Sequence, residues 1–223
     1  MSVFFDYPKA ARFGRVLPKK KIYQHARASS KLQQHFVDQV DRIVWKYKLA
    51  PETINLDSTK SVAEIQVFEI TLRTAEYDED ILHAIDKAIP FPIIFELNHS
   101  SKRKAIAAYK RPSEADGAKW VVSEYFASDW EVEDNPRQML PSALNLGGLY
   151  DKILSALIPA EAGTDEPVPV RVERMEKIRV QQREIARIKA RMKREKQFNK
   201  RIAINAELRA AQQQFEQITG RKN

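Results

Sequence analysis

The chain has no cysteine and only six glycines among its 223 residues. Without cysteine there is no disulfide framework and no thiolate zinc site, and a reducing compartment fits. So few glycines leave no phosphate loop and no glycine-rich dinucleotide turn. No apolar run approaches the roughly 18 residues that span a membrane, and MSVFFDYPKAARFGR lacks an apolar stretch of signal-peptide length. The expectation is a soluble, cytoplasmic chain with no membrane contact. The four histidines, His25, His35, His83 and His99, are dispersed, none paired with another at helical metal-ligand spacing. No metal site and no cofactor is implied.

What is abundant is positive charge, and it is unevenly placed. Between Arg171 and Asn223 there are 16 Lys and Arg against 6 Asp and Glu, a surplus of ten. The rest of the chain carries 22 against 24. The C-terminal run therefore holds the whole net charge of +8. A basic helix suits nucleic acid or an acidic protein surface; a solvated coiled-coil face would carry the same composition.

The apolar pattern predicts an α/β chain of α+β character. Residues 1–29 show little periodicity; their basic cluster, Pro18 to Lys21, is the kind of run that solvent alone accounts for. From Ser30, with Gln33 in capping-box position, Leu32, Phe36, Val40, Ile43, Val44 and Tyr47 follow helical spacing up to Pro51. AEIQVFEITLR, 63–73, has apolar residues on both faces and reads as a central strand. A short helix with Ile81, Leu82, Ile85 and Ile89 follows. PIIFELNH, KAIAAYK and KWVVSEYFASDW, separated by polar turns, predict an antiparallel meander within a mixed sheet with flanking helices. Leu149, Ile153, Leu154 and Leu157 mark one more helix.

Residues 1–158 are thus expected to form the α/β domain. The Pro-rich acidic stretch 159–170 reads as a linker, and 171–223 as a long basic helix of coiled-coil type. Between Val172 and Thr219 there is neither Gly nor Pro, and one continuous helix there would be about 70 Å long. Ile178, Ile185 and Met192 are seven apart, with Ile188 complementary, but the next seam positions are Glu195 and Asn199. The heptad fails there and resumes from Ile204.

Two kinds of candidate site emerge. Asp57 and Glu64, with Gln66 in the place a lysine often takes, are arranged as metal-dependent nucleases place theirs at strand ends; the bland alternative is a loop residue and an exposed strand end. Glu69 and Glu96, single carboxylates in apolar strands, need solvent, a cation such as Lys104, or a shared polar cluster. In the C-terminal run, Phe198, Ile202, Asn205 and Arg209 share a helical face beside Asn199. An aromatic anchor with amides and cations around it suits a docking surface. Asn199 would alternatively fix the register of a homodimeric coiled coil. Lys193, Arg194, Lys196, Lys200 and Arg201 supply the phosphate contacts if nucleic acid is the partner.

Several segments together, LPKKKIYQHA, VDQVDRIVWKYKLAPETINL, VAEIQVFEITLR, AIDKAIPFPIIFEL, YFASDW and EKQFNKRIAINAELR, resemble a bacterial and archaeal group, domain of unknown function 4391. The resemblance carries no assigned activity and no catalytic residues. It implies a gene neighbourhood of helicases and DNA methyltransferases in restriction-type defence systems, and EKQFNKRIAIN is its most recognisable motif. The resulting expectation is a non-catalytic accessory or adaptor protein of a DNA-modifying or phage-defence system. Its partner would be a protein such as a helicase or methyltransferase subunit, a second copy of itself, or nucleic acid. The alternative is a nuclease centred on Asp57 and Glu64.

Overall fold

Val40–Leu49, expected as the second half of a helix, is a ten-residue strand that hydrogen-bonds along the whole central strand. The computed structural model describes residues 3–113, 115–116, 119–160, 163 and 166–220. The chain divides into two units, Met1–Leu157 and Ile158–Asn223.

In the first unit the elements run β1 (Phe5–Asp6), β2 (Arg12–Val16), α1 (Lys19–Ala26), α2 (Ser30–Gln39), β3 (Val40–Leu49), α3 (Pro51–Ile54), β4 (Ile65–Leu72) and α4 (Asp80–Ala88). They continue as β5 (Ile93–His99), β6 (Lys102–Pro112), β7 (Trp120–Ala127), β8 (Glu131–Val132), β9 (Gln138–Met139) and α5 (Leu146–Leu157). The large sheet has the order β2-β3-β4-β5-β6-β7, with β8 also on β6, and β1 pairs separately with β9. β4 and β5 are parallel, joined by the α4 crossover, and the other pairs of the large sheet are antiparallel. The mixed sheet, its meander β5-β6-β7 and the flanking helices are those the sequence predicts, and β4 is central.

The N-terminal half differs from the sequence reading in two places. The cap of α2 is Ser29, whose Oγ accepts from Leu32 N at 3.3 Å, and Gln33 Nε2 donates back to Ala28 O at 2.9 Å. α2 then stops at Gln39. Val40, Ile43, Val44 and Tyr47 satisfy a helical period. The same segment, VDRIVWKYKL, is rich in β-branched and aromatic residues that favour a pleated surface, and pairing with β4 decides the outcome. Residues 1–29, read as nearly patternless, supply β1, β2 and α1. Lys19, in the basic cluster, is half-buried and has partners: its Nζ donates to Phe36 O at 3.0 Å and to Val40 O, closing the end of α2. Burial lowers its pKa.

One face of the sheet, with Ile43, Phe68, Ile70, Phe95, Ile106 and Tyr125, packs under α1, α2 and α4 through Ile22, Phe36, Ile81 and Ile85. Residues alternating with these, among them Val67, Ile94 and Ala107, are buried on the second face. α5 packs on β6 and β7, and Tyr150 Oη donates to Ala108 O at 2.6 Å. At the open edge, β2 is exposed throughout, its register on β3 shifts between Arg12 and Arg15, and Gly14 has φ +66°.

The second unit is a pair of helices, α6 (Val168–Arg194) and α7 (Phe198–Thr219), packed on each other. The long C-terminal helical segment exists in these two pieces. α6 begins inside the stretch 159–170 read as linker, parts of which (161–162 and 164–165) lie outside the described residues.

Candidate functional site

The break in the C-terminal helix falls at Glu195, Lys196 and Gln197, where the heptad fails. Glu195 leaves the helical conformation (φ −77°, ψ 127°) after a last turn bearing Arg191, Lys193 and Arg194, cations that suit a helix C-terminus. Its own carboxylate accepts from Gln197 N at 2.8 Å, which turns the chain into α7. Seam residues that would have faced another chain meet within this one. Ile188, Ile204, Leu208 and Ala211 form a buried cluster, with Ile185 and Met192 packed against it. Gln181 Nε2 donates to Ala211 O at 2.9 Å, and Arg191 pairs with Glu207. Asn199 is exposed and lies outside this cluster.

Phe198 and Ile202 do the opposite of core residues. They are 75% and 55% exposed. Phe198, Ile202, Asn205 and Arg209 lie on one side of α7, about 120° round the helix from Ile204, Leu208 and Ala211. Lys193, Arg194, Lys196, Lys200 and Arg201 are all exposed around the turn. The tip of the hairpin thus presents two large exposed apolar side chains in a segment rich in exposed cations. Between 191 and 201 there are six Lys and Arg against Glu195 alone.

The other sequence candidates lie elsewhere. Asp57 is exposed in the loop before β4; its carbonyl accepts from Leu146 N at 2.9 Å, and it bridges to Asn145. Glu64 sits 3.4 Å from Lys48 Nζ and accepts from Gln66 Nε2. Gln66 is buried at the start of β4, its Oε1 without a hydrogen-bond partner among the described residues. Among the described residues no group of three or more His, Asp or Glu is placed to hold a metal ion.

Glu69 and Glu96 are neighbours in register on β4 and β5. Glu96 is 2% exposed and takes both guanidinium nitrogens of Arg137 at 2.7 Å. Lys46 pairs with Glu69 and lies 3.9 Å from Glu96. The cation is therefore not Lys104, which lies over Trp130. Burial works against the charge of Arg137, but its hydrogen bonds and attraction to Glu96 hold its pKa above the ordinary value. Tyr7, whose ring lies 4.8 Å from that of Tyr47 and tilted 37° to it, has its pKa raised by burial and then by Glu96. A second buried group went unread in the sequence. Lys110 Nζ donates to Asp86 O at 2.5 Å and Ile89 O at 2.6 Å, lies 3.3 Å from Asp86 Oδ1, and Tyr125 Oη donates to Asp86 Oδ2. Burial raises the Asp86 pKa and lowers that of Lys110, in each case opposed by the partner's charge. The only hint was a lysine and an aspartate spaced as if on buried faces.

A mixed-sheet α/β unit followed by a basic helical hairpin is the class of protein these features define. Residues 5–215 match the family described as Domain of unknown function (DUF4391), and the chain belongs to it. No curated protein and no solved structure matches the chain.

Proposed function

We propose that this chain is a non-catalytic accessory or adaptor protein that docks on a partner protein through the tip of its C-terminal hairpin. The observation that carries the reading is the pair Phe198 and Ile202, one turn apart and both exposed in a strongly cationic segment. Aromatic anchors of this kind dominate binding energy when a partner pocket encloses them, while rim charges steer and select. The charge of that segment asks for a partner whose surface is acidic beside an apolar recess. The setting, a DNA-modifying or phage-defence system with a helicase or methyltransferase subunit as partner, rests on the gene neighbourhood implied by the family resemblance.

The test compares two variants on a partner identified by affinity capture and then purified. Phe198→Ala is expected to weaken binding by about 2 kcal/mol or more. Neutralising Lys193, Arg194 and Lys200 together should act mainly on the association rate and its salt dependence. If DNA is the true partner the order reverses, because phosphate contacts set that affinity and each lost cation lowers the salt slope by about one. DNA cleavage with Mg²⁺ that is lost on Glu64→Ala or Asp57→Ala would overturn the non-catalytic reading.

A further inference from the structure

A groove of about 460 Å³ runs between α6 and α7, away from the tip. Ile185, Ala186 and Phe215 supply its apolar lining, and Lys189, Glu216 and Thr219 are among its polar residues. Phe215 and Ile185 are only half-buried there, and Ala186 is exposed. Neither Lys189 nor Glu216 has an ion-pair partner among the described residues.

The registry of the hairpin fixes where these two charges stand. Gln181 bonds to Ala211 and Gln214, and Arg191 pairs with Glu207. Along the axis, Glu216 is therefore level with about residue 180 of α6. Lys189 lies about nine residues nearer the turn, roughly 13 Å away. The groove carries a cation at one end and an anion at the other.

We infer that this groove seats a second copy of the chain, two hairpins packing about a two-fold axis with their turns pointing in opposite directions. A two-fold interface pairs one patch with itself, so residue i of one copy meets j of the other and j meets i. In the antiparallel arrangement Lys189 of each copy comes level with Glu216 of its partner, twice. A parallel arrangement would set Lys189 against Lys189 and bring together the two cationic tips, with six cations apiece between 191 and 201. The antiparallel one keeps the tips at opposite ends, free for partners, and closes the apolar linings of the two grooves on each other. It accounts for the mixed charge of the groove in a hairpin that is otherwise strongly basic.

The experiment is sedimentation of the full-length chain over a range of concentrations, with a charge swap. The unaltered chain should show a monomer–dimer equilibrium. Lys189→Glu and Glu216→Lys should each raise the dissociation constant about tenfold or more, since each sets like charges opposite one another at two places. The double variant K189E/E216K should return close to the original value. Circular dichroism and thermal unfolding of all three variants check that the hairpin is intact; within one chain the two residues are too far apart for a rescue to be internal. Phe198→Ala should dimerise normally, which separates this interface from the docking tip. A chain that is monomeric at every concentration, or a double variant as weak as the singles, would overturn the inference.

Discussion

Glu96 is the residue whose environment makes the sharpest demand. A carboxylate so buried has lost its hydration, and Arg137, and more distantly Lys46, face it in place of water. Removing one partner of a buried pair leaves the other uncompensated, at a cost of about 3–5 kcal/mol. Arg137→Met should therefore lower the urea midpoint markedly, and Glu96→Gln in the same background should recover part of the loss. Asp86 behaves differently with pH. Burial raises its folded pKa above the ordinary carboxylate value, so the folded state holds the proton more tightly than the unfolded chain. The stability this gives is present below the unfolded pKa and lost as pH rises through the folded one. Measured stability should thus fall over that interval, and Asp86→Asn should flatten the fall. The sequence marked Glu69 and Glu96 as carboxylates in need of partners, because apolar neighbours on a strand show that much. Arg137 could not be named, since it lies in a loop stretch without pattern and meets Glu96 only through the fold.

At the scale of elements, what the sequence shows depends on whether one structure or two fit the pattern. β4, α4 and the meander were legible because period, length and turn residues agreed. β3 was not, because its apolar residues satisfy helix and strand alike and only the pairing partner chooses. The failing heptad at Glu195 and Asn199 marked where the C-terminal helix breaks, but not that the chain would fold back there. That requires knowing that Ile188 and Leu208 reach each other. Likewise the helical spacing of Phe198, Ile202, Asn205 and Arg209 showed that they share a face, while their exposure follows only from the hairpin seam. The same seam separates two kinds of substitution. Leu208→Ala should open a cavity and destabilise the hairpin by about 2–5 kcal/mol, seen as faster amide exchange in α6 and α7. Phe198→Ala, on the exposed side, should change hairpin stability by no more than about 0.5 kcal/mol. A large loss there would mean that Phe198 has a structural contact.

For the molecule as a whole, the division after Leu157 separates an almost charge-balanced α/β unit from a strongly cationic one. The large sheet and its two packed faces all lie in the first. A fragment ending at Ile158 should unfold in a single cooperative transition, measured by calorimetry, and should bind a polyanion at low salt more weakly than the full chain, because the cationic surplus goes with the hairpin. A molten fragment would mean that the hairpin completes the first unit's core.

The pairing of β1 with β9 has a consequence for how the protein is made. Arg137 Nη1 donates to Phe5 O, residues 132 apart in the chain, and Phe5 lies in register with Gln138. β1 therefore waits for one of the last strands of its unit before it can pair. Vectorial synthesis cannot finish the α/β unit early, and the stretch holding Phe4 and Phe5 lacks its β9 neighbours until residue 139 has cleared the exit tunnel. The pairing of α6 with α7 joins segments that follow one another directly in the chain, and needs no such wait.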